Sequence, residues 1–124
     1  MPNALTVLVV DDDESFLNSI ALLLERENIT CITASDGETG LKEVMKKKPD
    51  VAIVDLDMPI MNGIEFARYI REHELGVPVI IISGHSPLEL PAEINTAGVH
   101  SFIQKPMRVA DILLAIRNAL PTSP

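Results

Sequence analysis

The chain has 124 residues and a mass of 13.5 kDa, which allows one domain with a buried core and leaves no room for a second. Its formal net charge of −8 and its pI near 4.7 disfavour direct contact with nucleic acid or with anionic lipid. A single cysteine, Cys31, excludes an internal disulfide, and no apolar run approaches the roughly 18 residues of a membrane span, so we expect a cytoplasmic protein.

Apolar runs of strand length alternate along the chain with segments of helical spacing. Five predicted strands, most of them rich in β-branched residues, cover Leu5 to Val10, Ile29 to Thr33, Val51 to Val54, Val77 to Ile82 and Val99 to Ile103. Between them, apolar residues recur three and four positions apart, as at Phe16, Ile20 and Leu24. Such alternation with short links predicts a parallel sheet covered by helices on both faces, the doubly wound α/β class.

Turn and capping residues mark the ends of the predicted helices. Asp13 is predicted to cap the first helix, and Asn62 is predicted to cap the third. The fourth helix is predicted to be short or displaced, because Pro87 and Pro91 lie near its start and only residues 92–97 continue without interruption. The fifth helix is predicted to complete the domain.

Four of the predicted strands lead into polar side chains. The first strand runs into Asp11 and Asp12, the third into Asp55 and the fourth into Ser83, while the fifth leads to Lys105. The carboxyl ends of neighbouring parallel strands meet at one edge of a sheet, where open α/β folds bind their ligands. Three carboxylates there suit a hard divalent cation, and a hydroxyl and an ammonium can hold phosphoryl oxygens. We therefore expect a metal-assisted phosphoryl site with Asp55 as the nucleophile.

The motifs VVDDD, DLDMPIMNG, IISG and SFIQKP, in this order, resemble the receiver domain of bacterial response regulators over essentially the whole chain. The resemblance implies a receiver domain over residues 1–120, with a tail or the start of a linker at 121–124. It also implies a flavodoxin-like (βα)5 three-layer sandwich with a five-stranded parallel sheet in the order 2-1-3-4-5. The chain would be a stand-alone regulator or a piece of a longer one.

The resemblance assigns a role to each acidic residue of the expected site. Asp55 would accept a phosphoryl group from a phosphohistidine on a sensor histidine kinase or a phosphotransfer protein. Mg²⁺, or Mn²⁺ in its place, would be held by Asp12, Asp55 and the backbone carbonyl of Asp57, with Asp11 as the second member of the acidic pocket. The chain would then be a switch in two-component signalling and not an enzyme acting on a separate substrate.

The same resemblance implies how the phosphoryl group would be held and sensed. Lys105 would contact the phosphoryl group, and the bond between Lys105 and Pro106 would be cis. Ser83 and Phe102 would switch position on phosphorylation. Their movement would change the surface formed by the predicted fourth helix, fifth strand and fifth helix. That surface would regulate a downstream protein or an output domain, or would form a phosphorylation-dependent homodimer.

Several positions depart from the commonest pattern of the family or vary within it. Asp57 and His85 lie two residues beyond the nucleophile and the switch hydroxyl, where the family tunes the lifetime of the phosphoryl group. Gly84 stands where the family often has alanine, which is expected to loosen the switch loop. Pro87 and Pro91 put the usual dimer geometry in doubt.

Two other functions compete with the signalling switch. An unphosphorylated scaffold would use the same fold to hold a partner without metal or phosphodonor. A phosphatase of the haloacid dehalogenase type would use the Asp55 and Asp57 pair, but that family places its pair after the first strand and carries a cap domain, for which this chain has no room. The three histidines show no ligand spacing with one another or with Cys31, which disfavours a zinc site.

Overall fold

The computed structural model describes residues 5–121, and all five predicted strands are found there with ends shifted by no more than two residues. The strands are β1 (Thr6–Val10), β2 (Thr30–Ala34), β3 (Val51–Asp55), β4 (Val79–Ser83) and β5 (Ser101–Gln104). The α-helices are α1 (Glu14–Arg26), α2 (Gly37–Lys47), α3 (Gly63–Glu72) and α4 (Val109–Ala119). The predicted tail at 121–124 lies outside the described residues except for Pro121, which is exposed and belongs to no helix or strand.

The five strands form one parallel sheet in the order β2-β1-β3-β4-β5, as predicted. Every residue of β3 and β4 is buried, which explains why these segments are continuously apolar up to their last residue. The strand order reverses between β1 and β3, where Val10 pairs with Val54. In open sheets of this kind, a crevice for ligands forms at such a reversal, outside the carboxyl ends of the strands.

Side chains that alternate along each strand fill two separate core clusters, one on each face of the sheet. Leu8 and Val10 face the cluster that includes residues of α2 and α3, whereas Val7 and Val9 face the cluster that includes residues of α1 and α4. Because successive strand residues point to opposite faces, both faces of the buried strands must be apolar. The result is the predicted three-layer α/β sandwich.

Short polar side chains begin the first three helices. The Asp13 carboxylate accepts a hydrogen bond from the Phe16 amide at 3.2 Å, and the Asp36 carboxylate accepts one from Thr39 at 2.7 Å. At α3, Asn62 and Glu65 form a reciprocal capping box. These bonds satisfy amides that have no partner within the helix, so the loops after β1 and β3 end at fixed positions.

The segment between β4 and β5 forms two short 3-10 helices, Pro87–Glu89 and Ala92–Asn95, where a fourth α-helix was predicted to be short or displaced. Pro87 occupies the first position of its turn, and Pro91 caps the next turn. Proline lacks an amide donor and is tolerated only at such early positions, which accounts for the interruption. Leu88 is 97% exposed on the first of these turns.

Ile60, in the loop between β3 and α3, has a positive φ of 71° and a fully exposed side chain. A β-branched residue in the left-handed region costs about 1–2 kcal/mol, and an exposed side chain recovers little of this cost by packing. We expect Ile60→Gly to raise the free energy of unfolding by about 0.5–1 kcal/mol in urea denaturation. Ile60→Ala is the matched control, because it removes the apolar side chain but keeps a Cβ at positive φ. An equal gain in both variants would contradict the explanation from backbone strain.

Candidate functional site

The loops after β1 and β3 bring three carboxylates together at the carboxyl edge of the sheet. Asp55 is the last residue of β3, and Asp11 and Asp12 follow β1 directly. One carboxylate oxygen from each of the three lies within 4.8 Å of the others. Asp11 is 1% exposed and Asp55 is 6% exposed, whereas Asp12 lies open to solvent. The expected convergence of these side chains is therefore present in the structure.

Lys105, which follows β5, supplies a cation to this group. Its ammonium lies 3.0 Å from an Asp11 oxygen and 3.5 Å from an Asp55 oxygen. The Lys105 amide donates a hydrogen bond to the Ser83 carbonyl at 2.7 Å, which ties the end of β5 to the end of β4. The peptide bond between Lys105 and Pro106 is cis, as the resemblance implied.

The ionised form of Asp55 is disfavoured, because its carboxylate is buried and is repelled by the charge of Asp11. Burial raises the pKa of Asp55 to about 6 and the Asp11 charge raises it as well, while Lys105 acts in the opposite direction. For Lys105, burial disfavours the ammonium, but the hydrogen bond to Asp11 and the neighbouring charges outweigh this effect and raise its pKa. Asp55 is therefore mostly ionised at neutral pH, in a place where a further cation would relieve repulsion.

This raised pKa predicts a pH dependence of folding stability. The folded protein binds the Asp55 proton more tightly than the unfolded chain does, so stability should fall as the pH rises from about 4 to about 6 and stay reduced above that range. Without divalent metal, we expect Asp55→Asn to be more stable than the unsubstituted protein at pH 7.5, by about 1–3 kcal/mol, and to lose that advantage near pH 4. Urea denaturation at both pH values measures this difference in the free energy of unfolding. Glu72→Gln, which removes an exposed carboxylate, is the control, and an advantage of Asp55→Asn that does not change with pH would contradict the prediction.

Ser83 lies at the same edge of the sheet, and its hydroxyl makes hydrogen bonds with Asp57 and His85. The fully buried Ser83 hydroxyl donates to an Asp57 carboxylate oxygen at 3.4 Å and accepts a hydrogen bond from the His85 amide at 3.0 Å. The His85 ring lies 3.2 Å from the same Asp57 oxygen and 3.9 Å from a Glu89 oxygen. The two expected lifetime residues therefore contact each other and contact the expected switch residue.

Gly84 follows Ser83 directly, and Phe102 lies on the neighbouring strand β5, paired with Ile81. Phe102 is partly buried and packs against the core cluster of α2 and α3, together with Leu90 and Ile94 from the segment before β5. A Cβ added at Gly84 would meet nothing within 4 Å, so glycine is not required there by packing. Gly63 differs, since a Cβ there would lie 2.8 Å from the Asp55 carbonyl oxygen. A close approach of α3 to the site therefore depends on this glycine.

Two contacts at the site were not predicted from the sequence. The Lys105 ammonium lies 4.9 Å from the centroid of the Phe16 ring, although the spacing of Phe16 indicates only a core position. Glu89 lies 3.9 Å from His85, four residues earlier in the chain. Residues four apart are predicted to meet only on a helix, and the prolines in this segment made a helix uncertain. The role expected for the Asp57 backbone carbonyl stays a prediction.

The donor set fits Mg²⁺ or Mn²⁺. Asp11, Asp12 and Asp55 offer carboxylate oxygens, the hard ligands that these ions prefer, and their crowding would be relieved by a divalent cation. Over residues 5–121, these aspartates form the only group of three acidic, histidine or cysteine side chains close enough to share an ion. No helix in that range is both long enough and apolar enough to cross a bilayer.

The sheet is parallel and doubly wound, an acidic crevice lies at its strand reversal, and a lysine is paired to that crevice. These features define the class of the flavodoxin-like receiver folds. The chain belongs to the response regulator receiver domain family, which matches residues 7–117. The resemblance seen in the sequence is thereby confirmed. Receiver domains bind Mg²⁺ at their acidic pocket and are typically signalling domains of response regulators, so family membership supports a phosphorylation-dependent signalling role.

Curated and solved relatives agree with this assignment. The chain is 34% identical over 117 residues to the transcriptional regulatory protein GlrR of Escherichia coli, covering 94% of this chain and 26% of that protein. A response regulator receiver domain protein from Clostridium thermocellum superposes with a TM-score of 0.85 at 32% identity, covering 93% of each chain. The chemotaxis protein CheY4 of Vibrio cholerae superposes with a TM-score of 0.88 at 27% identity, covering 95% of this chain and all of that one. The chain spans half or less of the curated relatives it matches first.

Proposed function

We propose that this chain is a two-component signalling switch that receives a phosphoryl group on Asp55 from a phosphohistidine of a sensor histidine kinase or a phosphotransfer protein. The observation that carries the proposal is the convergence of the Asp11, Asp12 and Asp55 carboxylates with the Lys105 ammonium at one edge of the sheet. Charges of both signs at this spacing match the needs of a phosphoryl group in transfer. The phosphorylated form would act on a downstream protein or an output domain.

The transfer itself needs an ionised nucleophile close to a cation. An Asp55 oxygen would attack phosphorus while the bond between phosphorus and the donor's imidazole nitrogen breaks, and the bonding electrons would leave with the imidazole. A pKa of about 6 keeps Asp55 mostly ionised at neutral pH. Asp11, Asp12, Asp55 and the Asp57 backbone carbonyl are the groups proposed to hold Mg²⁺, which when bound would neutralise charge on the phosphoryl oxygens.

Lys105 would hold an oxygen of a phosphoryl group attached to Asp55. Its ammonium already lies 3.5 Å from an Asp55 oxygen, so a group attached to Asp55 would come within its reach. The hydrogen bond to Asp11, at 3.0 Å, keeps the ammonium inside the pocket before the phosphoryl group arrives. A preorganised cation of this kind stabilises the charge of the transition state without a costly rearrangement.

Ser83 and Phe102 would carry the signal from the pocket to the surface. In the structure, the Ser83 hydroxyl contacts Asp57 and the His85 amide, so a turn toward a phosphoryl group on Asp55 would exchange these contacts for a new one. Phe102 packs against the same core cluster as Leu90 and Ile94 and would follow that movement. Phosphorylation would thereby shift the population between two packings of the segment before β5, together with β5 and α4.

Asp57 and His85 would set the lifetime of the phosphoryl group. The His85 ring and the Asp57 carboxylate meet at 3.2 Å beside the switch hydroxyl, where they would restrict the approach of water to a phosphoryl group on Asp55. We expect His85→Ala to shorten the phosphoryl lifetime, measured as the decay of phosphorylated protein by intact mass after removal of the donor. His73→Ala, an exposed histidine at the end of α3, is the control. An unchanged or longer lifetime in His85→Ala would rule this role out.

Incubation with acetyl phosphate tests the proposed function. In the presence of Mg²⁺, intact mass spectrometry should show the addition of one phosphoryl group per chain, and a chelator should prevent it. A failure to incorporate phosphate, or incorporation that does not depend on divalent metal, would contradict the proposal. Affinity for a protein partner that ignored both metal and phosphodonor would favour a scaffold instead.

A further inference from the structure

The Lys105 ammonium has an aromatic neighbour besides its two carboxylates. It lies 4.9 Å from the centroid of the Phe16 ring, within the range of a cation–π interaction. The Lys105 side chain as a whole is 28% exposed. The ring therefore adds a third attraction to the two carboxylate contacts that hold the charge.

Hydrogen bonds connect the backbone of Phe16 to the acidic pocket. The Phe16 amide donates a hydrogen bond to the Asp13 carboxylate at 3.2 Å, and the Asp13 amide donates one to the Asp11 carboxylate at 2.9 Å. The first turn of α1 and the buried Asp11 are thus connected through a single residue. Since Asp11 is also the closest partner of Lys105, the ring and the carboxylate hold the same ammonium from one short segment of the chain.

We propose that Phe16 is a positioning residue for phosphoryl transfer: the face of its ring holds the Lys105 ammonium where it can contact a phosphoryl group on Asp55. This inference rests on the proposed function, because Phe16 would affect phosphoryl transfer only through Lys105, which is proposed to contact the phosphoryl group. The ring is required for this role, since the attraction arises from the negative face of an aromatic π-system. An aliphatic side chain of similar size would fill the same space without attracting the charge.

The competing explanation is that Phe16 only fills space. Its side chain is partly buried and packs against the core cluster of α1 and α4. Together with Ile20, Met107 and Ile112, it also lines a groove of about 490 Å³ beside Lys105. Packing alone would be preserved by leucine, whereas the proposed role would be preserved by tyrosine. The two substitutions therefore separate the explanations.

The test compares Phe16→Leu with Phe16→Tyr in the full chain. With acetyl phosphate and Mg²⁺, the initial rate of phosphorylation should fall roughly two- to fivefold in Phe16→Leu and stay near that of the unsubstituted protein in Phe16→Tyr. A second readout needs no phosphorylation: the ring-current shift of the Lys105 side-chain methylene protons in NMR should be lost in Phe16→Leu and kept in Phe16→Tyr.

Each outcome has a definite meaning. Equal rates in Phe16→Leu and the unsubstituted protein would overturn the proposal and indicate that Phe16 only fills space. Equal losses in both variants would overturn it as well, because the rate would then depend on the exact shape of the side chain and not on an aromatic face. Absence of the ring-current shift in the unsubstituted protein would overturn it as well. If the unsubstituted protein accepts no phosphoryl group at all, the proposed function fails, while the NMR comparison still decides whether Phe16 holds Lys105.

Discussion

Asp55→Asn should accept no phosphoryl group from acetyl phosphate, whatever the concentration of Mg²⁺. The amide nitrogen and oxygen of asparagine lack the charge of a carboxylate nucleophile, and no acyl phosphate can form at this position. The substitution preserves the shape of the side chain and removes a charge that burial disfavours, so the variant should remain folded. Intact mass spectrometry after incubation with the donor measures the loss.

Asp13→Asn is the matched control for this experiment. Asp13 lies two residues from Asp11 and carries a carboxylate near the pocket, but it caps α1 and is not among the three clustered aspartates. Asparagine caps helices as well as aspartate does, so this variant should be phosphorylated like the unsubstituted protein. Equal incorporation in Asp55→Asn and Asp13→Asn would place the acceptor elsewhere.

Lys105→Ala should slow phosphorylation by about 100-fold or more, because it removes the ammonium beside Asp55 that is proposed to hold a phosphoryl oxygen. The same substitution should strengthen Mg²⁺ binding. The Lys105 ammonium lies 3.0 Å from Asp11 and 3.5 Å from Asp55, so it competes with a divalent cation for these carboxylates. Calorimetric titration with Mg²⁺ and the phosphorylation rate would be measured on the same preparation.

The opposite direction of the two effects separates a role in transfer from damage to the fold. A variant that failed to fold would lose metal binding together with phosphorylation. Lys48→Ala, which removes an exposed lysine after α2, should change neither quantity. If Lys105→Ala were phosphorylated at the rate of the unsubstituted protein, Lys105 would have no part in holding the phosphoryl group.

The fold could be predicted from the sequence because its central strands are buried on both faces. Such strands are continuously apolar, and β3 is read directly from Val51 to Val54. The observed strand ends differ from the predicted ends by up to two residues, because hydrophobicity does not show where the hydrogen bonds between strands stop. Proline positions predicted a short or displaced fourth helix before β5, but not that the segment would contain two separate 3-10 turns.

The clustering of the site residues was likewise predictable from topology, because residues at the carboxyl ends of neighbouring parallel strands must lie close together. Individual contacts were not predictable. The hydrogen bond from Ser83 to Asp57 and the position of Phe16 against Lys105 depend on rotamers and on loop backbone, which leave no periodic signal in the sequence. The positive φ of Ile60 could not be predicted from the sequence for the same reason.

Chemical mapping of the phosphorylated residue tests the central claim most directly. Borohydride reduces an acyl phosphate to an alcohol, so the protein would be phosphorylated with acetyl phosphate and Mg²⁺, reduced, digested and sequenced by mass spectrometry. Reduction should convert Asp55 alone into the corresponding alcohol, and only in the sample that contained Mg²⁺. Conversion of a different aspartate, or of Asp55 without divalent metal, would contradict the account.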